Sequence, residues 1–123
     1  DKGIKAIKEI ADDVPHADIG FETLNLADLD SVRIFAFRMR SMLSGLDGLI
    51  LNAGISGVPK RMESEDGFEL TLATNYLGHF ALTALLMPLL MDVPDSRIIG
   101  IGSIDHKHGR IQFEDLQFKK AYN

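Results

Sequence analysis

The sequence predicts an α/β fold, a doubly wound parallel sheet with helices on both faces, and three observations carry that prediction. Two short runs, Leu49-Ile50-Leu51 and the Ile98, Ile99 and Ile101 segment, are apolar without alternation, as strands covered on both faces must be. The segments around them repeat apolar residues at three and four positions, which is the helical period. The resulting order, helix, strand, helix, strand, helix, strand, is that of parallel strands joined by crossovers.

The first helix places Ile4, Ile7, Ile10 and Val14 on one stripe with Lys2, Lys5, Lys8 and Glu9 between them, and Pro15 ends it. Ile19, Phe21 and Leu24 lead through a short alternating run to Leu26, which reads as a strand. Asp28 is the expected N-cap of a second helix whose Leu29, Val32, Phe35, Ala36, Met39 and Leu43 repeat at helical spacing, and Gly45 is expected to close it. The strand of Leu49 to Leu51 runs into Asn52-Ala53-Gly54, followed by a loop with Gly57 and Pro59. Ser64, with Gly67 just beyond, is expected to start a long helix that ends near Met91 and whose second half is apolar almost all round, hence buried. Ile98, Ile99 and Ile101 form the last strand, which ends at Ser103. No Gly-rich turn joins a first strand to a first helix, although open α/β sheets that bind dinucleotides place the pyrophosphate there.

Composition narrows the function. A chain of 123 residues with 46% hydrophobic and 25% charged residues has the make-up of a single globular domain, so residues 1–123 read as part of one domain. A net charge of −5 without clustered Lys and Arg excludes a nucleic-acid partner. The absence of cysteine removes disulfides and thiolate zinc sites, and with no cationic apolar leader a cytoplasmic location is expected. The longest apolar stretch, residues 80–91, is shorter than the roughly 20 residues a membrane span needs, so no transmembrane segment is expected in this chain. His106 and His108 sit two apart, but no third ligand is convincingly placed, so no metal site is expected.

Three blocks carry a family resemblance. Asn52-Ala53-Gly54-Ile55 after an apolar strand, Asn75-Tyr76-Leu77-Gly78-His79-Phe80 in the next helix, and Arg97-Ile98-Ile99-Gly100-Ile101-Gly102-Ser103 resemble, in order and spacing, successive blocks of short-chain dehydrogenases. Leu24-Asn25-Leu26-Ala27-Asp28-Leu29 and Phe113-Glu114-Asp115-Leu116 look most like the retinol dehydrogenase and protochlorophyllide reductase-like branch. The resemblance implies a Rossmann-like domain and an oxidoreductase that moves a hydride between NAD(P)(H) and a carbonyl or alcohol substrate, with the branch favouring NADP over NAD.

The implied roles fall on named positions. Asn52, Ala53 and Gly54 would form the cofactor edge, since open α/β folds bind ligands at the carboxyl ends of their strands and glycine lets backbone approach the ribose. Asn25, Leu26 and Ile101 would also touch the cofactor; Asn25 stands where relatives commonly carry the aspartate that accepts from the adenine amino group, and an amide oxygen can accept the same bond. Asn75 would hold a water of the proton relay, and Ser103 would polarise the substrate oxygen. Each has a plainer reading: Asn75 as an amide tying neighbouring backbone together, Ser103 as a turn former or helix cap. Gly78 reads as a close-packing residue and His79 as a packing histidine, and Gly102 departs from the serine that relatives place before the catalytic one.

The family mechanism also needs a tyrosine with a lysine four residues on, whose charge lowers the phenol pKa. Tyr76 has Phe80 at that offset and no such pair occurs, so the dyad is expected after Asn123 and the phosphate-binding glycines before Asp1. In the doubly wound order 3-2-1-4-5-6, the strand ending at Leu26 would be the third and the two after it the fourth and fifth. The isolated chain is therefore expected to be neither active nor well folded, and the complete protein to form a homo-oligomer through residues 82–91. Two further readings stand beside the dehydrogenase: a non-catalytic relative used for cofactor sensing or protein association, and an extended-branch sugar-nucleotide epimerase.

Overall fold

The computed structural model describes residues 2–122. Helix α1 (Lys2–Asp13) forms as its periodicity predicts, yet buries none of its residues. Ile4, Ile10 and Val14 remain exposed, because among the described residues no element packs over the stripe. The strand expected over residues 19–26 is a correction. The segment has no regular structure, since a strand exists only through ladder bonds to a neighbour and none lies beside it among the described residues. It is held instead by side chains: Arg38 donates to the Thr23 carbonyl at 3.1 Å and pairs with Glu22, and the Ser31 hydroxyl accepts the Asn25 N–H at 3.0 Å.

Helix α2 (Leu29–Met42) starts as the sequence predicts, with the Asp28 carboxylate accepting from the Asp30 and Ser31 amides. The Asp66 carboxylate accepts from the Leu29 N–H at 2.9 Å, so a loop 37 residues away satisfies another amide of the first turn. Gly45 does not close this helix: Leu43 ends it in an extended conformation. Glycine stands at 45 for space, since a Cβ there would lie 2.5 Å from a Val93 methyl.

Strand β1 (Gly48–Leu51) pairs in parallel with β2 (Arg97–Gly100), Gly48 opposite Arg97 and Leu51 opposite Gly100. The Ile101 N–H extends the ladder to the Leu51 carbonyl. Between the strands runs α3 (Leu70–Met91). Its start is a second correction, because Ser64 closes a turn in which its Oγ accepts from the Phe68 amide and Gly67 takes a φ of +78°, a conformation no α-helix contains. Glu69, buried, is the true N-cap; its two carboxylate oxygens accept from the Thr71 and Leu72 amides at 2.9 and 2.7 Å.

The core lies where α2 meets α3. Val32 and Ala36 are packed against Leu82, Leu86 and Leu89, with Leu26 on one side and Leu49 and Leu51 of β1 partly covered behind. Each fully buried leucine or valine contributes about 1.5–3 kcal/mol relative to exposure. By length and composition α3 could cross a membrane. Its leucines are instead spent inside the fold, and Glu69 at its cap and Asn75 and His79 along it hydrogen-bond to the chain's own backbone. The second half of α3 is buried on one side only, with Phe80, Ala84 and Met91 exposed. Leu82, Leu86, Leu89 and Leu90, in the stretch expected to join two copies, are already covered within one chain.

Candidate active site

The apolar exposed side of α3 faces an open cleft of about 950 Å³ at the carboxyl ends of β1 and β2. That is the size range of small-molecule sites and the edge at which open α/β sheets bind ligands. Asn52, Ala53 and Gly54 line it from the end of β1, Ile101 and Ser103 from the end of β2, and Asn75 from α3. Six of the eight positions expected from the sequence thus share one cavity. Asn25 and Leu26 do not reach it. Asn25 turns its Oδ1 onto the Ala27 amide at 3.0 Å, and Leu26 is buried in the core against Gly78. With no strand over residues 19–26, nothing carries these two side chains to the sheet edge.

Two side chains one turn apart on α3 hold the end of β1. Asn75 accepts from the Ile55 N–H through Oδ1 at 2.9 Å and donates through Nδ2 to the Ile55 carbonyl at 2.8 Å. His79 donates through Nε2 to the Ala53 carbonyl at 2.7 Å; a carbonyl can only accept, so the proton sits on Nε2. The plainer reading of Asn75 is therefore present in the structure, because its amide clamps backbone. A Cβ on Gly54 would sit 3.2 Å from Asn75 Oδ1, so a side chain at 54 would press on the clamp. Around Asn75 the helix widens into a π-turn over Ala73–Leu77, with the Gly78 N–H reaching back five residues to the Ala73 carbonyl. Gly78 allows the helix to lie directly on the Leu26 carbonyl, where any Cβ would collide.

Ser103 begins the short 3-10 turn Ile104–Lys107 as its cap. Its Oγ accepts from the Asp105 N–H at 3.1 Å and donates to Asp105 Oδ2 at 3.0 Å. The Ser103 carbonyl accepts from His106 Nδ1 at 2.6 Å and from the His106 amide at 3.2 Å. Among the described residues no group of His, Asp and Glu is arranged to hold a metal.

Sequence reading missed one wall of the cleft. Tyr76, Phe80, Thr83 and Met87 recur at helical spacing and line it together, with the Tyr76 and Phe80 rings stacked at 6.2 Å. Their spacing was the available signal, hidden because they read as more of the same buried helix. Asp105 was missed as well. Among the described residues, His79 Nδ1 and Thr83 Oγ1 are buried without hydrogen-bond partners, and both residues line the cleft.

A family model described as short chain dehydrogenase matches residues 1–114. The chain belongs to the short-chain dehydrogenase family. Among its relatives, retinol dehydrogenase 14 of Homo sapiens is 47% identical over 100 residues, covering 81% of this chain and 30% of its own length. Polyprenol dehydrogenase of Danio rerio is 39% identical over 127 residues, covering 100% of this chain and 39% of its own length. The chain thus spans well under half the length of these relatives. Among solved structures, an uncharacterised protein from Mycobacterium paratuberculosis superposes with a TM-score of 0.75 at 41% identity, over 94% of this chain and 40% of that one. A short-chain dehydrogenase from Escherichia coli CFT073 in complex with NADPH superposes at 0.70 with 22% identity, over 86% and 45%, which shows the shared fold. Family and α/β fold are as the sequence blocks imply, and the resemblance is to the retinol dehydrogenase-like members.

Proposed function

We propose that the complete protein transfers a hydride between NADP(H) or NAD(H), NADP(H) being favoured by the branch it resembles, and the carbonyl or hydroxyl group of an apolar small-molecule substrate. The observation that carries this reading is the convergence of the clamped Asn52-Ala53-Gly54 edge and Ser103 on one cleft at the carboxyl ends of parallel strands. The residues present fit the nicotinamide half of such a cofactor: Gly54, which carries no side chain of its own, lines the cleft at the end of β1, and Ile101 lines it beyond the end of the neighbouring strand. When bound, the cofactor supplies or accepts the hydride. Ser103 holds the substrate oxygen, Asn75 keeps the cofactor edge in place and serves the proton relay, and Tyr76, Phe80, Met87 and Ile98 exclude water with an apolar wall. The names of the relatives, retinol and polyprenol dehydrogenase, support an alcohol with a long apolar body as substrate.

No tyrosine in these residues has a lysine four positions on, so residues 1–123 by themselves bring no phenol of the family kind to the proton transfer, and we propose that they do not turn over substrate alone. The test uses the full-length protein. Nucleotide fluorescence is titrated with NADPH and NADH, and turnover of a long-chain apolar alcohol is followed in the native protein and in Ser103→Ala. Saturable binding and turnover that falls at least a hundredfold in the variant are expected, the size of one lost hydrogen bond at a reacting oxygen. No binding up to about 1 mM cofactor, the upper end of usual KM values, would overturn the proposal.

A further inference from the structure

The Ser103 hydroxyl has three hydrogen-bonding positions, one donor and two lone pairs. Two are already occupied by one neighbour, which also lines the cleft. The Asp105 N–H takes a lone pair at 3.1 Å, and the Asp105 carboxylate takes the only proton at 3.0 Å. What Ser103 can still offer a ligand is one lone pair, an acceptor. The backbone around it is held too, since the Ser103 carbonyl accepts from both the amide and the ring Nδ1 of His106.

A carbonyl substrate needs a donor, whereas an alcohol brings its own proton and can donate. From this arrangement we infer that Asp105 is a positioning residue that sets the polarity of Ser103, biasing the cleft toward binding the alcohol over the carbonyl. The inference rests on the reading of Ser103 as the residue that meets the substrate oxygen. For Ser103 to donate to a carbonyl, its bond to Asp105 must break. That bond runs to a charged acceptor, a better partner for the proton than a neutral carbonyl. The carboxylate thus competes with the substrate for the same proton. No charge moves and no bond to carbon changes; Asp105 acts by occupying a donor.

The experiment measures the KM of matched carbonyl and alcohol substrates, each with its own form of the cofactor, in the full-length protein and in Asp105→Ala, Asp105→Asn, Ser103→Ala and the Asp105→Ala/Ser103→Ala pair. Affinities are compared because the overall equilibrium constrains the ratio of efficiencies in the two directions whatever the variant. Asp105→Ala frees the hydroxyl proton and lowers the carbonyl KM about fivefold, the size of one modest hydrogen bond regained, while the alcohol KM stays constant or rises. Asp105→Asn, with a neutral acceptor in the same place, falls between the native protein and Asp105→Ala. The carbonyl gain vanishes when Ser103 is alanine. Equal shifts for both substrates, or a carbonyl gain that persists without the Ser103 hydroxyl, would overturn the inference. Loss of the functional reading is seen separately, as Ser103→Ala retaining full turnover. If Asp105→Ala does not fold, Asp105→Asn carries the same comparison, and a carbonyl KM equal to the native value sinks the idea.

Discussion

Replacing Gly78 by alanine sets two effects of known size against each other. Helix propensity favours alanine over glycine in a helix interior by about 1 kcal/mol. Gly78 is buried where α3 crosses the turn at Leu26, and the added Cβ would collide with the Leu26 carbonyl oxygen while lying 3.0 Å from both the carbonyl carbon and the Leu26 Cβ. These are backbone and stem atoms, unable to swing aside as the end of a long side chain can. The turn beneath is braced by the Asn25 and Asp28 side chains, so either it or the helix must shift. Over-packing of this kind costs about 1–3 kcal/mol, and with the whole crossing displaced the upper half of that range applies. The net expectation is a loss of about 1–2 kcal/mol, a drop in unfolding midpoint of roughly 2–8 °C for a chain of a few hundred residues. Thermal unfolding of the full-length protein followed by circular dichroism reads this directly. Gly100→Ala is the control, because a Cβ there meets nothing within 4 Å; it should stay within about 0.5 kcal/mol of the native protein. A Gly78→Ala protein as stable as the native one would show that propensity wins and that the close approach of helix and turn is not what glycine provides.

Three other outcomes follow from the same geometry. Asn75→Ala removes both bonds to the Ile55 backbone; at about 1 kcal/mol each they should raise the cofactor dissociation constant on the order of tenfold in the full-length protein, and unchanged binding would remove Asn75 as the clamp. Leu86→Ala, in the centre of the α2 and α3 contact, should lower stability by about 2–5 kcal/mol in urea unfolding, far more than Met91→Ala at an exposed position of the same helix. The backbone N–H of Lys120, and then that of Lys119, hold the Asp115 carboxyl below the ordinary aspartate value of 3.8. Because the folded pKa is the lower one, this carboxylate supports the fold above the unfolded value, and its support fades as pH falls through the folded value. An NMR titration of the Asp115 side chain should give a midpoint below 3.8, and one at or above it contradicts the two-amide cradle.

Elements whose causes are local were legible before any coordinates. Asp28 caps α2 because a carboxylate one residue ahead of a helix meets free amides whatever the rest of the chain does. The β1 and β2 runs and the family blocks were equally plain, and six candidate residues do meet in one cleft. The expected cover on both faces of the strands is a correction: Ile50, Ile98, Ile99 and Ile101 are exposed, because among the described residues no helix layer packs over that side. Misses came where a partner decides the outcome. Residues 19–26 have the composition of a strand, but a strand is a relation between two segments. Ser64 looks like a helix cap, yet the turn it closes pairs Glu63 with Glu69 and passes the cap to Glu69. Gly45 looks like a helix stop and is in fact a gap for Val93.

By itself the sequence determined the family, the sheet-and-helix class and the identity of the residues at the strand ends, because these depend on periodicity and on motifs a few residues long. Tertiary structure alone decided what those residues touch. Asn75 clamps Ile55, 20 residues away, His79 clamps Ala53, 26 residues away, and Asn25 is turned onto its own backbone instead of into the cleft. A hydrogen bond depends on the distance and angle between two groups, and for groups far apart in the chain those are set by packing between helices and strands.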